Sequence, residues 1–490
     1  MTSPDMKKII LIFGYFALTT PLYTVAQDAK VDVFQKKYAP DSLNIQVKEL
    51  MEGIGSGHPG MYRYTDKREF DFLIDSTFTT VTDSISPLTY YRLLKPLFAK
   101  IGCLHTSIEL SEANQNTLND SLKLIPIEVF IDDEKRAFVT KNYAKNETIP
   151  LKSEILAING QSIAAILETL YNAIPSDGYN QTLKTLLLNY RFALWYRSMI
   201  STTNRFEIEA RTKGLRKVYN LTGVSNDVFP TFETLERENE NQLNLKITND
   251  IGLLTVRSFA KSTIKKNDQN FDKFIKNTFK QLNQKQIEHV IIDLRNNTGG
   301  TDGNAVKLAS YFFEQPFRYW AKIETTEDIA AQVKGFSRLF YKKPVLKDSS
   351  YHWRGSRWWL TKEFNYYRIQ KPAKHNYKGN VYLITNGFCM SSCADVVAIL
   401  SYNKKAEVIG TETGGGYQGN TSGLMPTSTI NDDMQITIPL NKYTNAVDPN
   451  TNFGRGTIPD VRIRPTLDDW MNKKDVELEY IMKLIKDAKR

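Results

Sequence analysis

Two adjacent serines, one distant histidine and three cysteines are the side chains in this 490-residue chain best placed for covalent chemistry. Ser391 and Ser392 lie in the run Cys389-Met390-Ser391-Ser392-Cys393-Ala394-Asp395. The apolar stretch Val381–Thr385 and an Asn386-Gly387 turn precede it, and the apolar stretch Val396–Leu400 follows. A strand, a tight turn and a helix in this order would hold a hydroxyl at a helix mouth, where backbone N–H groups point outward. A serine there also serves as a plain N-cap, so the local pattern leaves both roles open for Ser392. A serine nucleophile needs a base. His105 stands in Ile-Gly-Cys-Leu-His-Thr-Ser-Ile-Glu-Leu (101–110), where a loop turns into an alternating strand. On its own a histidine is as readily structural as catalytic.

Cysteine chemistry is constrained by number and spacing. Cys103 lies two residues before His105, and Cys389 and Cys393 flank the serines. Three cysteines do not make a disulfide scaffold, although one bridge from Cys103 to Cys389 or Cys393 is allowed. Cys389-x-x-x-Cys393 lacks the C-x-x-C spacing of redox motifs. Too few ligands surround the cysteines for a zinc site, so no metal and no cofactor are expected.

Composition narrows the class. Hydrophobic residues make up 41% and charged residues 24%, ample for globular cores. The formal charge of +10 is spread over isolated lysines and pairs such as Lys265-Lys266, so a nucleic-acid groove is not expected. Lys7-Lys8, the apolar stretch Ile9–Leu18 and Thr24-Val25-Ala26 have the order of a secretory signal peptide, residues 1–26. The apolar part falls short of the about 20 residues of a membrane span. The expectation is an exported protein, periplasmic or extracellular, without stable membrane insertion.

Several elements must bring the serines and His105 together. Residues 27–104 read as a helical domain, with a glycine-rich loop Gly53–Gly60 (GIGSGHPG) carrying His58. Residues 105–234 alternate strands with helices. Glu154–Ile158, the Asn159-Gly160 turn and the helix after it resemble the peptide-binding PDZ-like module, with a helical extension beyond it. A polar linker, Glu236–Gln242, leads to an α/β region, 243–490, with strands Ile251–Val256 and Val290–Leu294 and an amphipathic helix Asn270–Leu282. An aromatic-rich insertion, 314–378, is expected to form a lid or hairpin arm, and Asp468–Lys489 a final helix.

Four motifs in order resemble peptidase family S41, the C-terminal processing and tricorn-type serine proteases. Asp293–Gly300 matches D-x-R-x-N-x-G-G, and Ser392–Asp395 sits where the family has S-[AS]-[AS]-E. Val408-Ile409-Gly410 with Thr413-Gly414-Gly415 matches V-G-x-x-T-x-G, and Gly456–Asp460 matches G-V-x-P-D. The resemblance implies a multidomain α/β protein with a ClpP- and crotonase-like protease core, and a peptide or protein substrate. The lysine of the processing branch is missing from Gly414–Gly419, so the tricorn-like branch, with His105 as base, is implied instead. Motif register implies Ser392 as nucleophile, with Ser391 its rival, and backbone N–H groups of Cys393 and of Gly299 or Gly300 as the oxyanion hole. The group orienting His105 has no motif; Asp448, Glu412 and Ser107 lie nearby in the alignment of motifs. The alternative is a non-catalytic peptide- or lipophile-binding protein on the same scaffold.

Overall fold

Val290, Ile291 and Ile292 are buried with no gap between them, so their strand is covered on both faces. That strand, His289–Asp293, lies inside a six-stranded sheet. The order is Val461–Arg462, Glu407–Gly410, Asn380–Thr385, His289–Asp293, Ile251–Val256 and Leu243–Thr248. All neighbours are parallel except the last pair, an antiparallel hairpin. Val290, Ile292 and Leu383 join the large core that includes Val396, Val397 and Leu400 of the helix Ser392–Tyr402. Ile291, Tyr382 and Ile384 face the other way, against Ile481 and Ile485 of the helix Val476–Ala488. The computed structural model describes residues 36–230, 240–355 and 363–488. The expected signal segment, most of the linker and the Trp358-Trp359 pair of the insertion lie outside these residues.

A second sheet contains Ile127–Ile131, Ala137–Asn142, Glu154–Ile158, Arg205–Thr212 and Leu215–Thr222, antiparallel throughout. The Asn159-Gly160 turn has positive φ at both residues, as a tight hairpin requires. Helices Ile163–Ala173 and Thr182–Met199 pack on this sheet, the second kinked at Arg191. The strand that follows His105, Ser107–Leu110, pairs with Met434–Thr437. This pairing anchors the histidine segment to the C-terminal region across more than three hundred residues of sequence.

Three expectations need correction. Gly53–Gly57 is not a loop: the helix Pro40–Gly57 runs through it. Val47, Leu50, Met51 and Ile54 form a buried stripe at helical spacing, which outweighs a glycine penalty of about 1 kcal/mol each. Only His58, Pro59 and Gly60 turn. The final helix is two helices, Leu467–Met471 and Val476–Ala488, separated at Lys473, whose φ is positive. Asp475 then starts the second one by accepting from the Leu478 N–H. The insertion contains the expected hairpin, Val345–Lys347 with Ser350–His352, but the hairpin is built into a sheet and is not a separate arm. Its strands Trp320–Thr325, Val345–Lys347 and Ser350–His352 join Asn441–Asn445 and Thr421–Ser422. Among the described residues no helix is long and apolar enough to cross a membrane.

Candidate active site

The strand Asn380–Thr385 ends in a turn that is tied to the Asp293–Gly300 loop. The Asn386 side chain accepts from the Asn296 N–H at 3.1 Å and donates to Asn296 Oδ1 at 2.8 Å. Met390 N–H donates to the Asn297 carbonyl at 3.2 Å. At Ser391 the backbone swings to φ 51° and ψ −132°, a conformation that L residues rarely adopt and that clusters at functional sites. The helix Ser392–Tyr402 begins at the next residue. Ser391 stands at the N-cap position, yet its hydroxyl makes no capping bond. Ser392 does not cap the helix; it is the first helical residue, 1% exposed, and its Oγ has no hydrogen-bond partner.

Two glycines allow this packing. A Cβ on Gly415 would lie 2.6 Å from Ala394 Cβ and 2.9 Å from Ser391 N. A Cβ on Gly299, which has φ 100°, would lie 2.8 Å from both the Met390 carbonyl oxygen and Ser391 Cβ. Glycine is what lets three backbones meet at the elbow. One turn into the helix, the buried Asp395 accepts from Asn445 Nδ2 at 3.0 Å and from Asn420 Nδ2 at 3.2 Å. Burial raises its carboxyl to about 7 against the lowering effect of these donors.

The segment that bears His105 is tied to the elbow through a carboxylate that no motif announced. Asp177 is buried, on the loop after the helix Ile163–Ala173. It accepts from the Leu104 N–H at 3.0 Å and from the Gly416 N–H at 2.9 Å. Gly415, next to Gly416, rests on Ser391 and donates its N–H to the Cys389 carbonyl at 3.0 Å. A ring nitrogen of His105, an Asp177 oxygen and Cys103 Sγ all lie within 4.8 Å of one another. Burial lowers His105 to about 4, opposed by the Thr421 carbonyl. Its Nδ1 is buried without a partner. The same burial pushes Asp177 up to about 6.

His58 supports the neighbouring residue. Gly60 N–H donates to His58 Nδ1 at 3.1 Å, which leaves the ring proton on Nε2 to be donated to Thr106 Oγ1 at 2.8 Å. Ser107 is paired with Thr437 in the sheet through its backbone, and the other two nearby candidates for orienting His105 are engaged elsewhere. Glu412 takes both arms of Arg455 and the Gly456 N–H. Asp448 accepts from Asn450 N–H and Thr451 Oγ1. Asp177 went unseen because Ser176-Asp177-Gly178 looks like any polar turn.

The three expected oxyanion donors differ in state. Cys393 N–H donates to the Met390 carbonyl at 3.0 Å, and Gly299 N–H to Asn297 Oδ1 at 2.9 Å. Gly300, at φ 132°, has its would-be Cβ against the backbone of Ala260, and no bond is recorded for its N–H. All three cysteines are free thiols. Cys103 packs in the core of the N-terminal half, Cys389 and Cys393 in that of the parallel sheet, so the bridge the sequence allowed is not made. A cleft of about 1030 Å³ opens at the carboxyl ends of the parallel strands. Asn296, Asn386, Gly387, Thr411, Phe130 and Tyr190 line it, whereas Ser392, His105 and Asp177 do not. In parallel α/β sheets ligands bind at this end.

Residues 250–463 match the family model of peptidase family S41. The matched stretch is a domain of that family, and it supports a serine-type peptidase. Mature CPAF, solved in complex with lactacystin, superposes with a TM-score of 0.63 at 12% identity, over 92% of this chain and 98% of that one. Mature CPAF alone gives 0.61 at 12% identity, over 91% and 96%. The photosystem II D1 C-terminal processing protease gives 0.39 at 12%, over 86% and 94%. No curated protein sequence matches. At these identities the two CPAF structures show a shared fold.

Proposed function

We propose that this chain is an exported serine peptidase in which Ser392 is the nucleophile and His105 the general base. The observation that carries the proposal is a pair of orphans. Ser392 Oγ and His105 Nδ1 are both buried polar atoms without a partner, where such atoms are normally satisfied. They belong to the two residues that the motifs single out, and the Gly415–Gly416 turn and Asp177 link their segments. His105, lowered to about 4, is neutral at neutral pH and competent to accept a proton.

In this reading Ser392 Oγ attacks the scissile carbonyl while His105 takes its proton. The oxyanion is held by the Gly300 N–H, joined by those of Cys393 or Gly299 if they exchange their present acceptors for it. The intermediate collapses to an acyl-enzyme, and His105 returns the proton to the leaving amine. Water, deprotonated by His105, then attacks the acyl carbon, and the imidazolium passes the proton to Ser392 Oγ as the acid product leaves. Asp177 stabilises the imidazolium formed at each step and fixes the segment that bears it. The strained Ser391 turns the chain so that Ser392 opens the helix. The PDZ-like sheet supplies an edge for extended peptide, with the cleft between it and the strand ends as the path. The family match favours this over the binding-protein alternative.

Turnover of a broad peptide library by wild type, Ser392→Ala and His105→Ala tests the proposal. Both variants should lose at least about 10³-fold in kcat while keeping the wild-type melting temperature. Full activity in either folded variant would refute the assignment.

A further inference from the structure

Cys103 has no part in the peptidase chemistry above, yet its thiol faces the base. Cys103 Sγ, a His105 ring nitrogen and an Asp177 carboxylate oxygen lie mutually within 4.8 Å. Cys103 and Asp177 are buried, at 3% exposure each, and His105 Nδ1 is a buried atom with no hydrogen bond. The Thr421 carbonyl oxygen accepts from Cys103 Sγ at 3.5 Å and adds a fourth donor atom.

We propose that Cys103, His105 and Asp177 form an inhibitory binding site for zinc or a similar thiophilic divalent cation. The proposal rests on His105 being the base, because a metal on its ring removes the lone pair that accepts the serine proton. Three arguments support it. First, the donor set is one sulfur, one imidazole nitrogen and one carboxylate oxygen, which suits zinc and disfavours calcium or magnesium. Second, the charges close. The thiol releases its proton to solvent on binding, so a dication meets one thiolate, one carboxylate and one neutral imidazole, with a net charge of zero in a buried place. Third, the ligands need little movement. Tetrahedral bonds of about 2.0–2.3 Å place ligand atoms about 3.3–3.8 Å apart, within a side-chain adjustment of the present spacing.

The positions of the ligands are set by different parts of the fold. Leu104 N–H and Gly416 N–H hold the Asp177 carboxylate in place. The strand Ser107–Leu110 fixes the Cys103–His105 segment through its pairing with Met434–Thr437. These supports orient first ligands as outer hydrogen bonds do in known metal sites. The site is empty in a working peptidase and filled in an inhibited one.

The test uses the full-length protein and its Cys103→Ser variant. Cobalt(II) binding is followed by thiolate-to-metal charge-transfer absorption, and peptidase activity is followed during zinc titration, with a chelator added afterwards. One cobalt per chain with a thiolate band, and zinc inhibition reversed by the chelator, are expected for wild type. Cys103→Ser should keep its basal activity, lose the band and need about tenfold or more zinc for the same inhibition. Equal zinc sensitivity in the two proteins, or no thiolate band in wild type, would overturn the proposal. A thiolate band with undiminished activity would uphold the metal site and overturn His105 as the base.

Discussion

The Gly416 N–H donates to the Asp177 carboxylate at 2.9 Å, and this bond joins the two halves of the candidate active site. On one side the glycine turn rests on Ser391 and Ala394 at the elbow. On the other, Asp177 holds the Leu104 N–H and stands beside His105. The proposed base therefore comes from a segment nearly three hundred residues away, and the carboxylate from the loop after the helix Ile163–Ala173.

Asp177→Asn should lower kcat by about 10²-fold or more, with KM little changed, because an amide cannot stabilise the imidazolium. Steady-state kinetics beside a melting curve would check it. A folded variant with wild-type kcat would show that Asp177 has only a structural part.

Gly415→Ala should damage the elbow from behind. The added methyl carbon would fall 2.6 Å from Ala394 Cβ and 2.9 Å from Ser391 N, so the helix mouth must shift. The expected destabilisation is about 1–3 kcal/mol, with a larger proportional loss of kcat than of stability. Denaturant unfolding and peptide turnover measured together would reveal it; an unaltered kcat would show that the elbow tolerates the shift.

These two predictions also mark where sequence stopped being informative. The strand Glu154–Ile158 and the strand–turn–helix around Ser392 were legible because apolar runs and turn residues follow local rules. The Asp293–Gly300 loop was legible because its residue types recur in a family. Gly53–Gly57 was misread because glycine content is local, whereas the stripe Val47, Leu50, Met51 and Ile54 finds its partners only in the folded core. Asp177 was invisible for the same reason, since its acceptors' partners lie on Leu104 and Gly416. Glu412, nearer the motifs, is claimed by Arg455. The backbone strain at Ser391 leaves no mark in the sequence.

Arg295 shows that a motif residue can serve the fold. Its guanidinium binds Asp293 at 2.8 Å and 2.9 Å, both oxygens of Asp475 at 2.8 Å, and Glu477 at 3.2 Å. It thereby fastens the last helix to the sheet. Arg295→Met would leave three carboxylates without their cation, at a cost on the order of 3 kcal/mol. Thermal unfolding should show the loss, while the folded fraction retains an intact elbow. A melting temperature equal to wild type would contradict this role.

Asp395 predicts a pH dependence of stability. Its folded value, about 7, lies above the ordinary carboxylate value of 3.8. The folded state thus holds the proton more tightly than the unfolded one. Its contribution is fully present below about 4 and is lost as pH rises through about 7, on the order of 4 kcal/mol in all. Asp395→Asn keeps an acceptor for Asn420 or Asn445 and should flatten the profile. The stability difference between wild type and variant should shift against wild type as pH rises from about 4 to 8; a constant difference would count against a protonated Asp395.

The central claim, that Ser392 rather than Ser391 attacks the substrate, is tested most directly by a fluorophosphonate probe and peptide mapping. Wild type and Ser391→Ala should be labelled on the peptide that contains residue 392, and Ser392→Ala should not be labelled. Labelling that survives Ser392→Ala and disappears in Ser391→Ala would assign the nucleophile to the strained residue instead.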